Sequence, residues 1–209
     1  MKKFLLVDDH SIVRSGVKLI IRSKYINAEC DEAVDGDTAF EKVKSADYDL
    51  IVLDIHMPNT DPLGLIENIV RTKPQAKILI FTMGAEEIFA KRYLKLGVKG
   101  FLSKESDDEE ISRAIDLVIN NRKYISESLM TRMTDESLSN KSENPFNDLS
   151  NRELEIVLLL ISGKSISEIT EVLNIQNSTV GTHKSRILEK LKVGNVIELR
   201  ELARIYHLI

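Results

Sequence analysis

The sequence predicts two domains: an α/β domain built on a five-stranded, parallel, doubly wound sheet, and a smaller all-α domain of the helix-turn-helix type. Three observations carry that expectation. Short unbroken apolar runs alternate with amphipathic segments through residues 1–123, a polar stretch follows, and two capping boxes then open closely spaced helices. Unbroken apolar runs suit parallel strands because helices cover both faces of such a sheet and leave no side for solvent.

Taken in order, Phe4–Val7 is the first strand, and Ile12, Val13, Val17, Ile20 and Ile21 then recur at helical spacing. Asn27–Ala33 reads as the second strand and Gly36–Val43 as a helix. Leu50–Leu53 is the third strand, with Leu65, Ile66, Ile69 and Val70 marking the helix after it. Ile78–Phe81 and the weaker Gly100–Leu102 complete the strands, and Ile111, Ala114, Ile115, Val118 and Ile119 mark the last helix. Strands 1 and 3 are then central, in flavodoxin-like order. Residues 124–147 are expected to be a linker, since Thr134–Asp148 offers hardly an apolar side chain to bury; a short helix over Ser126–Met133 is allowed for at its start. In the remainder, 148–209, Ser150 and Glu153 form a capping box before Leu154–Ile161, which stops at Gly163. Ser165 and Glu168 form a second, opening a helix to Leu173; further helices are expected over Ser178–Leu191 and Ile197–Tyr206.

Composition excludes several classes. No apolar run approaches the ~18 to 20 residues of a membrane span, and the opening Met-Lys-Lys leads straight into a strand and two aspartates instead of a signal sequence. Cys30 is alone, and His10, His56, His183 and His207 are scattered, so neither a disulfide nor a zinc cluster is expected; a cytoplasmic setting is. The formal net charge is −4, and Phe146–Ile209 holds eight Lys/Arg against eight Asp/Glu. Any attraction to nucleic acid must therefore arise from a local basic surface.

The first domain gathers charge at one edge. Asp8 and Asp9 close the first strand and Asp54 the third, side by side at the switch point of the sheet. Three carboxylates there repel one another unless a cation joins them, and hard oxygen ligands suit Mg²⁺. Thr82 ends the fourth strand and Lys104 follows the fifth, bringing a hydroxyl and an ammonium to the same edge. The set suits phosphoryl transfer: a carboxylate attacks phosphorus, cations hold the equatorial oxygens, and a hydroxyl senses the product.

On Leu-Val-Asp8-Asp9-His, Leu-Asp54-Ile-His-Met-Pro58, Ile-Phe-Thr82 and Gly-Phe101-Leu-Ser-Lys104, residues 3–121 resemble the receiver domains of bacterial two-component response regulators. The resemblance implies that Asp54 accepts phosphate from a sensor histidine kinase. It also implies that Asp9 binds Mg²⁺ directly, Asp8 through water, and the backbone carbonyl of His56 completes the site. Thr82 and Phe101 would be the switch pair, Phe101 turning inward as Thr82 engages the phosphoryl group, with Lys104 holding charge. Pro62 stands where the family usually has Gly, and Glu105 where many members have Pro. The His56 ring itself is expected to be a solvated loop side chain.

In the helix over Ser178–Leu191, Val180, His183, Ile187 and Leu191 fall on one stripe, the core face, at ~100° per residue. Ser178, Gly181, Thr182, Ser185, Arg186 and Glu189 fall opposite, with Lys184 and Lys190 between. Small outward residues flanked by cations fit a major groove. The stretch from Leu149-Ser-Asn-Arg-Glu through Ser178-Thr-Val-Gly-Thr-His-Lys-Ser-Arg resembles the LuxR-type domain of the NarL/FixJ subfamily. That resemblance makes Thr179–Leu191 the recognition helix, Ile197–Arg204 the dimerisation surface and His183 a packing residue. Gly181 and Ser185 replace residues that are often basic there, Gln176 replaces the usual Ser or Thr cap, and Val196 stands where Arg is common.

The combined expectation is a cytoplasmic, non-enzymatic transcriptional regulator, without membrane attachment, that forms a homodimer on phosphorylation and binds promoter DNA. The competing reading is a signalling adaptor whose helical domain binds protein, which the neutral charge of residues 146–209 would suit.

Overall fold

The computed structural model describes residues 1–58, 60–83, 86–126, 130–131, 144–173, 175–206 and 208, with side chains throughout except at 86–89 and 91. Most of the expected linker, and most of the short helix allowed for over Ser126–Met133, lie outside the described residues. The chain divides into two compact units, Met1–Met130 and Thr131–Ile209.

In the first unit the elements are β1 (Lys3–Val7), α1 (Ser11–Lys24), β2 (Glu29–Ala33), α2 (Gly36–Ser45), β3 (Leu50–Leu53), α3 (Pro62–Thr72), β4 (Ile78–Thr82), α4 (Glu86–Lys95), β5 (Gly100–Ser103) and α5 (Asp108–Ile119). All strand pairs are parallel, in the order β2-β1-β3-β4-β5. Val7 pairs with Leu53 at the carboxyl ends of the central strands, so Asp8 and Asp54 leave the sheet side by side. Every residue of β3 and β4 is buried, as continuous apolar runs require. Phe4, Leu6, Val52 and Phe81 meet Val17 and Ile21 of α1 and Ile111, Ile115 and Val118 of α5 in one core.

Two boundaries differ from expectation for local reasons. Asn27 and Ala28 are spent on a turn, closed by Ala28 N–H donating to the Tyr25 carbonyl at 2.9 Å, so β2 begins at Glu29. Helix α3 begins ahead of its apolar stripe because Asp61 caps it, accepting from Gly64 N–H at 2.9 Å, with Pro62 at the first helical position, where a missing N–H loses no bond. Tyr124, the first residue of the expected linker, is buried and bridges to Gly100; its N–H donates to the Lys99 carbonyl at 3.0 Å.

The second unit comprises a 3₁₀ turn (Pro145–Asp148), α6 (Asn151–Ile161), α7 (Ile166–Leu173), α8 (Asn177–Leu191) and α9 (Val196–Ile205). Both capping boxes form: Ser150 with Glu153, and Ser165 with Glu168. Phe146, fully buried beside Tyr206 with ring centroids 6.2 Å apart, brings the end of the expected linker into this core with Leu154, Val157, Ile169, Val180, Ile187 and Leu199.

Candidate functional site

The carboxyl ends of β1, β3, β4 and β5 form an acidic pocket. Asp54 is 3 % exposed and its two oxygens are differently engaged. Oδ1 accepts from the His56 backbone N–H at 3.0 Å and from the Thr82 hydroxyl at 2.7 Å, while Oδ2 accepts from Lys104 Nζ at 2.7 Å. Lys104 also reaches Asp8 Oδ2 at 2.7 Å. Burial pushes the Lys104 ammonium down, but its hydrogen bonds and attraction to Asp54 and Asp8 outweigh that and hold it above its ordinary value. The sequence-predicted set Asp8, Asp54, Thr82 and Lys104 is thus joined in one hydrogen-bonded network through Asp54 and Lys104. Phe101 is fully buried and Thr82 is turned to Asp54. The register Thr82↔Ser103 fixes this arrangement, and Lys104 N–H donates to the Thr82 carbonyl at 3.0 Å.

Asp9 stands apart from this network. Its Oδ1 is buried without a hydrogen bond, although His10 Nδ1 lies 2.9 Å away. Ligand atoms of Asp8, Asp9, His10 and Asp54 all lie within 4.8 Å of one another. An orphaned buried carboxylate oxygen facing two further carboxylates is costly, and an oxygen-preferring divalent cation is the partner that fits it.

Three contributors escaped the sequence reading. Arg14 donates from Nη1 to the Asp8 carbonyl at 2.6 Å and from Nε to Glu32 at 2.9 Å, tying the β1 end to β2. His10 N–H donates to Asp8 Oδ1 at 2.8 Å. The His56 ring is exposed, as expected of a loop side chain, yet its Nδ1 lies 2.8 Å from the Thr82 hydroxyl. Burial of that edge lowers the imidazole below its ordinary value against the opposing pull of Asp54. Apolar periodicity and local capping signals are visible in sequence, and none of these contacts follows from either.

In the second unit Ser178, Thr179, Thr182, Ser185, Arg186 and Lys190 are exposed along α8, with Gly181 and Lys184 partly so. Val180, Ile187 and Leu191 are buried, as the stripe predicts; His183 is partly buried, with its Nδ1 enclosed and unbonded. A Cβ at Gly181 would meet nothing within 4 Å, so no packing inside the unit requires glycine there. Thr182 and Ser185 hydroxyls donate back to the Ser178 and Gly181 carbonyls at 2.9 and 3.2 Å. Lys190 differs from its neighbours: its ammonium lies 2.8 Å from Glu153, the buried capping residue of α6. Gln176 provides no side-chain cap. On α9, Ile197 and Ile205 are 77 % and 69 % exposed, two turns apart on one face.

The response regulator receiver domain family matches residues 4–116, and the LuxR family of bacterial regulatory proteins matches residues 147–203. The chain belongs to the NarL/FixJ response regulators. It is 34 % identical over 209 residues to the oxygen regulatory protein NreC of Staphylococcus carnosus (strain TM300), covering 96 % of each chain. It is 31 % identical over 204 residues to the response regulator UvrY of Escherichia coli (strain K12), covering 97 % of this chain and 94 % of that one. Among solved structures, RcsB of Salmonella enterica serovar Typhimurium bound to the promoter rprA in the presence of BeF₃⁻ shares the fold. Its TM-score is 0.77 at 22 % identity, over 97 % of this chain and 98 % of that one. As a response regulator with a receiver and a LuxR-type domain, this chain is a phosphorylation-dependent transcription regulator. Among the described residues no helix is long and apolar enough to cross a membrane.

Proposed function

We propose that Asp54 is the phospho-acceptor and that the donor is a sensor histidine kinase. An Asp54 carboxylate oxygen forms a bond to phosphorus while the bond from phosphorus to the kinase imidazole nitrogen breaks, the nitrogen keeping the electron pair. The observation that carries this reading is the Asp54 carboxylate, buried yet held on separate oxygens by Thr82 and Lys104, each at 2.7 Å. Lys104 supplies positive charge, Thr82 supplies one hydrogen bond to the new phosphoryl oxygens, and the buried Phe101 is its switch partner. Asp8, Asp9, Asp54 and the His56 carbonyl are the groups to hold Mg²⁺, which when bound supplies counter-charge to the carboxylates and the phosphoryl oxygens.

Phosphorylation then remodels the α4–β5–α5 face and promotes a homodimer, for which the exposed Ile197 and Ile205 of α9 supply apolar surface. The dimer reads promoter DNA in the major groove through Ser178, Thr179, Gly181, Thr182, Lys184, Ser185 and Arg186 of α8. Lys190 belongs to that set only after leaving Glu153. The protein acts in the cytoplasm and has no diffusible substrate. The test is labelling and sizing of the full chain with Mg²⁺ and a small phosphodonor, beside Asp54→Ala. Label and dimer in the wild type, and neither in the variant, are the expected outcome. A labelled, dimeric Asp54→Ala would refute the assignment. Labelled protein that never binds DNA would instead favour the adaptor reading, which the neutral charge of residues 146–209 suits.

A further inference from the structure

The His56 side chain is not needed for the roles assigned above, which use only its backbone, yet it grips the end of β4. Its Nδ1 lies 2.8 Å from Thr82 Oγ1. A threonine hydroxyl has one proton and two lone pairs. Its proton goes to Asp54 Oδ1 at 2.7 Å, a closer partner than the Met83 carbonyl at 3.4 Å, and a carboxylate oxygen only accepts. Thr82 Oγ1 must therefore accept from His56, so the proton of this ring sits on Nδ1 whether or not Nε2 also carries one. The chain runs His56 Nδ1–H to Thr82 O–H to Asp54, each link a short one.

We propose that His56 is a positioning residue for phosphoryl acceptance: by donating to Thr82 Oγ1 it fixes the hydroxyl rotor, so that its single proton faces the carboxylate that will carry the phosphoryl group. A free hydroxyl turns among three staggered orientations, of which one points at Asp54; the imidazole removes that freedom before the reaction begins. The inference rests on Asp54 being the phospho-acceptor.

The experiment is a double-mutant cycle on the full chain, reading the rate of Asp54 labelling by acetyl phosphate in saturating Mg²⁺. His56→Ala is expected to slow labelling about tenfold, the equivalent of ~1.4 kcal/mol. His56→Asn, whose amide nitrogen occupies nearly the place of Nδ1, should restore the rate to within about twofold of wild type. In a Thr82→Ala background, His56→Ala should change the rate by less than about twofold, because the group it acts through is gone. An equal loss in both backgrounds, or no loss in the first, overturns the proposal. So does failure of His56→Asn to recover the rate when its Mg²⁺ affinity matches wild type. Independently of any phosphodonor, ¹⁵N NMR of the imidazole should show the Nδ1-protonated ring in wild type and its loss in Thr82→Val; a ring protonated on Nε2 alone refutes the contact itself. Wild-type protein that takes no label marks failure of the Asp54 reading, which this spectroscopic arm keeps distinct from failure of the His56 contact.

Discussion

Lys104 neutralises the carboxylates that the proposed Mg²⁺ would also neutralise, so deleting the ammonium should be felt most when the cation is absent. Its Nζ is 2.7 Å from both Asp8 Oδ2 and Asp54 Oδ2, with side-chain exposures of 9, 5 and 2 %. Lys104→Met keeps the aliphatic stem and removes only the charge. One pair of unit charges at about 4 Å is worth about 4 kcal/mol at an effective dielectric near 20. Two such contacts, less the desolvation of the ammonium, leave a net loss of about 3–5 kcal/mol when one partner of a buried pair is removed. The raised basicity of Lys104 agrees in sign, since attraction there beats burial. Urea unfolding of the full chain, followed by the near-ultraviolet tyrosine signal, reads the first unit, which holds Tyr25, Tyr48, Tyr93 and Tyr124; the second holds Tyr206. Without a cation, Lys104→Met should unfold earlier by the stated amount. With about 10 mM Mg²⁺ it should regain at least ~1.4 kcal/mol more than wild type does, the linkage value of tenfold tighter binding. Equal stability without Mg²⁺, or equal increments from it, would show that the ammonium does not neutralise the pocket.

Other consequences are separately measurable. Burial would raise the Glu153 carboxyl, but Lys190 and the Ser150 cap prevail and hold it below its ordinary 4.5; its contribution to stability is present above that value and lost as pH falls through the folded pKa. Glu153→Gln should therefore unfold about 1–3 kcal/mol more easily near neutral pH, with the gap closing in acid; a gap independent of pH would contradict the ion pair. Gln176→Ser should add the missing cap to α8 and stabilise the second unit by about 1 kcal/mol in thermal unfolding. Gly181→Ala should stabilise α8 by up to about 1 kcal/mol, since the new methyl meets open space, while weakening promoter binding; unchanged or tighter binding would remove the case for close backbone approach to DNA. Lys184 and Arg186 make no ion pair among the described residues. If each neutralises one phosphate, a dimer should show a log–log salt slope of about −4, and a slope near zero would favour the adaptor reading.

What was legible in the sequence follows period and position. Buried parallel strands announce themselves as Leu50–Leu53 and Ile78–Phe81 do, and strand ends then place Asp8, Asp54, Thr82 and Lys104 together without further information. The two capping boxes were legible because Ser150–Glu153 and Ser165–Glu168 satisfy each other within one turn. Contacts between segments far apart in the chain were not. Nothing in Met57-Pro58 reveals that the ring of His56 reaches across to Thr82, and nothing in α8 reveals that Lys190 is drawn to Glu153, thirty-seven residues away. The Pro62 departure from the family pattern, by contrast, has a local explanation: Asp61 takes the cap and Pro62 the first helical position. Gly64 N–H donates to the Asp61 cap at close range, where a Cβ would stand 2.5 Å from Asp61 Oδ2.

Charge decides how the proposed switch can work. A phosphoryl group of about −2 on Asp54 replaces a carboxylate that already carries −1, so phosphorylation adds about −1 to the protein. Outside Phe146–Ile209 the chain already carries the whole formal excess of −4, and the second unit's neutral balance offers no reserve. Through long-range electrostatics alone, phosphorylation would therefore weaken attraction to DNA. Activation must come from geometry, and pairing is the geometric change with enough leverage. Two α8 helices held together present twice the unpaired cations of one, and the second binds at the effective concentration set by the first, which raises affinity by orders of magnitude without a new contact. The commitment of Lys190 to Glu153 sharpens this dependence, because it leaves a single unit with fewer cations than its sequence contains. On this reading the weakness of one α8 is what makes binding conditional on the state of Asp54.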